Sequence, residues 1–441
     1  MEKVGMTSAS FDQLINKIND RSAKVAVIGL GYVGLPLAVE FAQAGFYTVG
    51  LDLDVNKVNA LNNGTSYVTD VASEDIASVI SAGRFHVTDD PDVLSTCDAF
   101  SICVPTPLSK TNDPDLSYVI SAVDSLAEYI HSGMLIVLES TTYPGTTEEI
   151  IAPRLLVRNQ IIGKDIFVAF SPERIDPGRQ DYTLKNTPKV IGGMTAACTD
   201  VASQLYGCIV EQVVPVTSPA AAEMAKLVEN TYRSVNIALA NELMIMCDKL
   251  GLDAWEVIDA AATKPFGFTK FTPGPGVGGH CIPLDPHYLA WKLRTLNYDA
   301  RFIHLASQIN SNMPHYWVDK VVETLNSIGK PVNGSSILIL GVAYKRNIDD
   351  VRESPAQDII ELLRQREAIV RYHDPYVSQF SYKEEVLYSE NDWEQSAKVA
   401  DCILIVTDHS TYDWQKLSRI STQIVDTRHV IPSRMHGSQI N

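Results

Sequence analysis

The run Lys24-Val25-Ala26-Val27-Ile28 leads directly into Gly29-Leu30-Gly31-Tyr32-Val33-Gly34, and a helical pattern then continues from about Leu35 to Ala44 before stopping at Gly45. A short apolar strand, a glycine turn and a helix in that order leave few folds open. The first glycine permits the tight turn. The second lets backbone approach a pyrophosphate, and the third lets helix and strand pack closely. The helix N-terminus then favours phosphate charge. Tyr47 to Leu51 reads as the next strand, and Asp52 closes it, 18 residues beyond Gly34. An acid at that point hydrogen-bonds an adenosine ribose and repels a 2′-phosphate, which favours NAD over NADP. Gly29, Gly31, Tyr32, Val33, Gly34 and Asp52 are therefore expected to hold the cofactor. For Asp52 the alternative is a turn-capping aspartate, and FAD shares the glycine pattern.

Further strand-like runs occur at Ala99 to Val104, Leu135 to Leu138 and Ile166 to Phe170, with helical patterns between them. Alternating strands and helices imply a doubly wound parallel sheet whose strand ends feed the ligand crevice. Those ends carry Pro105-Thr106-Pro107, Ser140-Thr141-Thr142 and Ser171-Pro172-Glu173-Arg174. From Pro219 to about Leu250 the period changes to one long helix rich in Ala, Leu and Met. Helices at Trp255 to Ala262 and Pro286 to Asn312 follow. After a linker at Lys330 to Gly334, strands are expected at Ser336 to Leu340, Ala368 to Tyr372, Cys402 to Val406 and Gln423 to Val425. Phe11 to Asn19 reads as a short lead-in helix. The expected fold is α/β: two Rossmann-like doubly wound parallel-sheet domains, 1–214 and 326–441, joined by a central all-α domain, 215–325, with a long helix. In the last domain Gly341-Val342-Ala343-Tyr344-Lys345 follows a strand but lacks the remaining glycines, so no second NAD site is expected there.

At 441 residues the chain is long enough for about three domains. With 45% hydrophobic and 20% charged residues it has the composition of a globular protein. A net charge of −17 argues against nucleic acid or an anionic membrane as partner, although a local cationic site can still take an anionic substrate. No stretch approaches the roughly 20 apolar residues of a membrane span, and the first residues lack a signal-peptide core. Seven scattered cysteines without a CxxC pair suggest reduced thiols and a cytoplasmic location. No metal site is expected.

The chemistry centres on Pro273-Gly274-Pro275-Gly276-Val277-Gly278-Gly279-His280-Cys281-Ile282-Pro283-Leu284-Asp285. A lone Cys is commonly a small packed hydrophobe. Here Cys281 ends a glycine run that would admit substrate closely, and a thiol nucleophile beside a redox cofactor points to oxidation through a thioester. On the long helix Lys226 and Asn230 stand four residues apart and so share a face. An ammonium and an amide together can hold an oxyanion, while an ordinary polar face is the bland reading. Asp285 can pair with Lys226, orient a water, or simply open a helix.

Taken together these residues resemble the nucleotide-sugar 6-dehydrogenase family, which includes UDP-glucose and GDP-mannose dehydrogenases. The resemblance rests on Gly29 to Ala38, Ser171 to Gly178, Glu223 to Tyr232, Gly276 to Pro286 and Gly341 to Pro355. It implies a two-step, four-electron oxidation of a sugar C6 alcohol with two NAD. Cys281 would carry a thiohemiacetal and then a thioester, and Lys226 and Asn230 would stabilise oxyanions, with Lys226 also aiding proton transfer. Asp285 and Thr141 would hold the water, and Glu173 would assist hydrolysis. The resemblance also implies cofactor contacts from Thr106, Thr141 and Arg352. Substrate contacts would come from Glu173, Arg174, Lys226, Asn230, Gly278 and Lys345, and the last domain would close over a UDP-sugar. A homodimer sharing the long helix is expected.

Gly278-Gly279-His280-Cys281-Ile282-Pro283-Leu284-Asp285 departs from the GGSCFPKD-like loop of UDP-glucose members and looks like the UDP-N-acetylhexosamine branch. UDP-N-acetylglucosamine is the expected substrate, feeding surface polysaccharide synthesis. UDP-N-acetylmannosamine and UDP-glucose are the alternatives. Two other classes stay open: a single-step β-hydroxyacid dehydrogenase, which needs no thiol, and an NAD-binding scaffold, which needs no intact constellation.

Overall fold

The computed structural model describes residues 8–68, 70–109, 113–157, 159–175, 181–279, 281–383, 385–421 and 423–431. The chain forms two units, one of residues 1–229 with 287–298, the other of residues 230–286 with 299–441. The helix Pro219–Leu250 begins in the first and ends in the second.

The first unit is built on eight strands: β1 Lys24–Ile28, β2 Tyr47–Leu51, β3 Phe85–Thr88, β4 Ala99–Ile102, β5 Met134–Leu138, β6 Ile166–Phe170, β7 Lys189–Gly193 and β8 Val213–Val216. They lie in the order β3-β2-β1-β4-β5-β6-β7-β8. Because β1 pairs with both β2 and β4, the direction of winding reverses between β1 and β4, the place where such sheets open a ligand crevice. Val25 and Val27 face one apolar layer with Leu35, Phe41 and Phe167, while Ala26 and Ile28 face the other with Phe100, Ile102 and Val123. Burial on both faces is why these strands read as continuous apolar runs rather than alternating ones.

The expected parallel sheet holds from β1 to β6. It is corrected beyond that: β7 runs antiparallel to β6, and β8 is parallel to β7. β3, β7 and β8 escaped the sequence reading. β7 ends in Gly192-Gly193, and β8 contains Pro215, which an edge strand tolerates.

In the second unit β9 Ser336–Leu340, β10 Ile369–His373, β13 Cys402–Ile405 and β14 Ile424–Asp426 form a parallel sheet in the order β10-β9-β13-β14, and β11 Gln379–Tyr382 pairs with β12 Glu385–Tyr388 as a hairpin. The helix expected over 286–312 is two helices, Asp285–Thr295 and Arg301–Asn326. Asn297 lies between them at φ +57°, a left-handed conformation that no α-helix continues through. Among the described residues no helix is long and apolar enough to cross a membrane.

Candidate active site

In the first unit the glycine turn has the tightness that its spacing requires. Gly29 sits at φ +91°, and a Cβ there would lie 2.8 Å from the Cys103 carbonyl oxygen. A Cβ on Gly34 would lie 1.8 Å from the Gly29 carbonyl oxygen, whereas one on Gly31 would meet nothing within 4 Å. The turn therefore closes on itself at Gly29 and Gly34 and leaves an open cradle at Gly31, which fits a pyrophosphate laid against backbone. Tyr32 is 43% exposed beside it, and Val33 is half-buried. Asp52 accepts the Leu30 N–H at 2.8 Å, the Asp54 N–H at 2.9 Å and the Lys57 ammonium at 3.3 Å. The turn-capping alternative for Asp52 is thus realised, at the end of β2. Thr106, buried in the loop after β4, accepts the Tyr288 hydroxyl on its carbonyl at 2.5 Å.

The loop after β5 carries Thr141, which is half-buried. Ser140 ties the loop back by donating to the Val104 carbonyl at 2.7 Å. A few residues on, buried Glu223 accepts the N–H groups of Gly145 and Thr147 at 2.6 and 2.9 Å and the Thr147 hydroxyl at 2.7 Å. Burial pushes the Glu223 carboxyl up, against the pull of those donors. Glu223 stands three residues before Lys226 in the same helix, so one carboxylate fixes both the loop of Thr141 and the start of the Lys226 helix. Lys226 itself is 7% exposed and makes no hydrogen bond or ion pair within its unit among the described residues.

Glu173 lies in the loop after β6, with its side chain 12% exposed. It accepts the N–H groups of Arg174 and Ile175 at 2.6 and 2.8 Å and the Lys189 ammonium at 3.2 Å. Arg174 is turned to Glu229, 2.8 Å away, and to the Pro188 carbonyl. Asp176, Pro177 and Gly178 of the same motif, and His280 of the cysteine loop, lie outside the described residues.

In the second unit Asn230 and Asp285, buried to 7% and 4% exposure, meet directly: the amide donates to the carboxylate at 2.5 Å. Asp285 opens the helix Asp285–Thr295, and its own N–H donates to the Cys281 carbonyl at 2.8 Å. Cys281 thus stands one turn ahead of that helix, at the end of the dipole that favours negative charge. The seven cysteines form no disulfide, and Cys281 alone among them is exposed. The glycine loop is held at its base by Asn241, which accepts the Gly274 N–H at 2.9 Å, and by Trp317, whose indole donates to the Gly274 carbonyl at 2.9 Å. Further on, the Gly279 N–H donates to the Arg352 carbonyl at 3.1 Å, and a Cβ on Gly278 would lie 2.6 Å from the Tyr344 Cβ. The motif 341–355 thereby packs on the cysteine loop. Lys345 is half-buried within it, and Arg352 forks its guanidinium onto Asp350 at 2.7 to 3.1 Å. After β10, Asp374 accepts the N–H groups of Val342 and Ala343 and faces His409 at 2.9 Å. This repeats the Asp52 cap on the other sheet.

The structure therefore brings Asn230 to Asp285, and Gly278 to the segment of Lys345 and Arg352. It adds residues to which the sequence assigned no individual role: Glu139, Lys189, Glu223, Glu229 and Tyr288. Glu139 closes an apolar strand and Lys189 opens one. A charge fused to a buried strand was the one signal that could have marked them.

Three models of the UDP-glucose/GDP-mannose dehydrogenase family match this chain: the NAD binding domain over residues 23–210, the central domain over 220–312 and the UDP binding domain over 338–435. The UDP-N-acetyl-D-mannosamine dehydrogenase of Methanococcus vannielii is 35% identical over 421 residues, covering 92% of this chain and 93% of that protein. The NDP-N-acetyl-D-galactosaminuronic acid dehydrogenase of Ralstonia solanacearum is 35% identical over 419 residues, covering 93% and 95%. Among solved structures, UDP-D-ManNAc dehydrogenase from Pyrococcus horikoshii is similar with a TM-score of 0.86 at 36% identity, covering 94% of this chain and 97% of that one.

Proposed function

Because the chain belongs to the UDP-glucose/GDP-mannose dehydrogenase family and is an NAD-dependent nucleotide-sugar dehydrogenase, we propose that it oxidises the C6 hydroxyl of UDP-N-acetylmannosamine to the carboxylate. The observation that carries the mechanism is Cys281, the exposed one of seven cysteines outside any disulfide, one turn ahead of a helix whose first residue, Asp285, is hydrogen-bonded to Asn230. Relatives named for the mannosamine sugar support that epimer over UDP-N-acetylglucosamine, the substrate expected from the cysteine loop, which becomes the second reading. The loop itself supports an N-acetylhexosamine and carries nothing that distinguishes C2 stereochemistry.

Gly29, Gly31, Tyr32, Val33, Gly34, Asp52, Thr106, Thr141 and Arg352 would hold NAD, which would supply the hydride acceptor for each of the two oxidations. The protein does the rest. Lys226 takes the proton of the C6 hydroxyl, and Lys226 and Asn230 hold the oxygen as negative charge develops on it. The Cys281 thiolate bonds to C6 of the aldehyde, and loss of the second hydride leaves a thioester. Thr141 and Asp285 orient a water whose oxygen bonds C6 as the C6–sulfur bond breaks, with Glu173 assisting. Arg174, Gly278 and Lys345 hold the nucleotide sugar. The reading keeps three domains, 1–214, 215–325 and 326–441, a cytoplasmic reaction and a product used in surface polysaccharide.

The test is NADH formed per sugar with UDP-N-acetylmannosamine, UDP-N-acetylglucosamine, UDP-N-acetylgalactosamine and UDP-glucose side by side. Two NADH per sugar and the highest kcat/KM are expected with the mannosamine epimer. Preference for UDP-glucose would overturn the substrate, and one NADH per sugar would overturn the thioester route. A homodimer belongs to the same reading: Val228, Tyr232, Leu239, Met246 and Leu250, all 45% exposed or more, lie along the long helix. Light scattering should give twice the chain mass, and a monomer at assay concentration would reject the dimer.

A further inference from the structure

Three charged side chains that the proposed chemistry does not employ as a set meet inside the first unit. Lys189, with its side chain 4% exposed, donates to Glu139 at 2.6 Å and to Glu173 at 3.2 Å. Glu139 is fully buried and accepts a hydrogen bond from the Tyr206 hydroxyl as well, and Tyr206 in turn meets Ser101 at 2.8 Å. Burying three charges is costly unless the geometry is tight and each is hydrogen-bonded, and a hydrophobic set of equal volume would be as stable or more so. Stability alone therefore gives little reason for this cluster to stand here.

Its placement follows from the reversed strand. β6 and β7 pair with Phe170 opposite Gly192. Continuing that antiparallel count brings Glu173 opposite Lys189, and the Ser171 hydroxyl already donates to the Val190 carbonyl at 2.9 Å along the way. The first residue of β7 thus lies at the edge of the sheet where β4, β5 and β6 end, which is the ligand edge.

We infer that Lys189, itself anchored by Glu139, is a positioning residue that holds Glu173 in one orientation and as a carboxylate for the hydrolysis of the thioester. This rests on the reading of Glu173 as a participant in that hydrolysis. One Glu173 oxygen is fixed by the N–H groups of Arg174 and Ile175 and the other by the Lys189 ammonium, so the side chain has no freedom to swing away from the water it serves. In the step itself the water oxygen bonds C6, the C6–sulfur bond breaks, and the proton lost by water passes by way of Glu173 to the departing Cys281 thiolate.

The groups facing Glu173 are Lys189 on β7, Glu139 at the end of β5, Cys103 after β4 and Arg174 beside it, while Tyr206 on the helix Ala196–Tyr206 faces Glu139. Burial would push Glu173 up, but the ammonium and the two backbone donors outweigh it and hold the carboxyl below its usual range. For Lys189, burial would lower the ammonium, and the two carboxylates outweigh that and raise it. Burial pushes Glu139 up. A carboxyl held low is ionised above its folded pKa, so hydrolysis should be lost only as pH falls through that low value. Without the ammonium the carboxyl rises and the loss moves to higher pH.

The test uses the full-length enzyme with its nucleotide sugar and NAD. It reads the fast NADH phase, the steady-state rate and the thioester trapped on quenched protein by mass spectrometry, across pH. In the charge-balanced variant Lys189→Met with Glu139→Gln, the acid limb of the steady-state rate should move to higher pH, and at a pH on that limb the rate should fall roughly tenfold for each unit of the move, because below the pKa one unit is tenfold in the ionised fraction. The rate should recover at higher pH, with thioester accumulating and the fast NADH phase changed by less than about threefold. Lys189→Arg should restore the acid limb. An acid limb unmoved in the double variant overturns the proposal.

Glu173→Gln separates the two readings. If it leaves hydrolysis intact, the role of Glu173 itself fails. If it slows hydrolysis while the double variant keeps the original limb, only the role of Lys189 fails. Should the double variant not fold, the unaltered enzyme still decides: its acid limb must lie no higher than an ordinary carboxylate at about 4.3, and a limb above about 6 overturns the proposal.

Discussion

Cys281→Ala is expected to form no measurable uronic acid, a loss of at least about 10³-fold in turnover to acid, because removing a covalent nucleophile removes the path and not one contact along it. The protein should remain folded. Cys281 is exposed in a turn, and alanine also supplies the backbone carbonyl that accepts the Asp285 N–H. The first oxidation needs no thiol, so NADH should appear in less than stoichiometric amount and stall with aldehyde. Cys281→Ser should do something different. A serine alkoxide is a poorer leaving group than a thiolate, so an ester adduct should persist on the protein and be visible by mass spectrometry. Chromatographic measurement of acid per sugar decides the matter. A normal yield of acid from Cys281→Ala would reject the thioester route and favour the simpler β-hydroxyacid dehydrogenase chemistry.

Gly34→Ala is expected to be the most damaging single methyl group in the first unit. Its Cβ would stand 1.8 Å from the Gly29 carbonyl oxygen and 3.1 Å from the Cys103 Cβ, and the atom it meets is backbone that cannot rotate aside. Overpacking of that kind costs roughly 3 kcal/mol. At about 2–4 °C per kcal/mol for a unit of this size, the melting temperature should fall by roughly 6–12 °C. Cofactor affinity should go with it, since the displaced turn is the one proposed to meet the pyrophosphate. Gly31→Ala is the control. Nothing lies within 4 Å of its Cβ, so the fold should be indifferent while NAD binding weakens roughly tenfold or more, the methyl group standing in the cradle. Thermal melts with and without NAD separate the two. Equal melting temperatures for the two variants would show that the turn is not closed as described.

Much of the fold was legible because buried parallel strands and amphipathic or Ala-rich helices announce themselves over several residues. Lys24–Ile28, Tyr47–Leu51, Ile166–Phe170, Pro219–Leu250 and Ser336–Leu340 begin and end where their apolar runs do. Phe85–Thr88 and Val213–Val216 did not announce themselves, being four residues long at the two edges of the sheet. The helix break at Asn297 was hidden for another reason. Hydrophobic period carries through Leu293, Leu296 and Ile303, while the stop is a left-handed backbone angle that no period encodes.

The candidate site divides along the same line. Sequence alone determined the cofactor turn and the cysteine loop, because each is a local device: glycines spaced for one backbone path, and a thiol placed just before a helix. Lys226 and Asn230 belong with them, since a helix fixes what stands four residues apart. Only the tertiary structure decided that Lys189 should stand between Glu139 and Glu173, residues 50 and 16 positions away. In a β7 running parallel to β6 the same lysine would sit at the far edge of the sheet. Its role depends on strand direction, which is set by how the chain returns to the sheet and how buried charge finds its partners. No run of neighbouring residues records either.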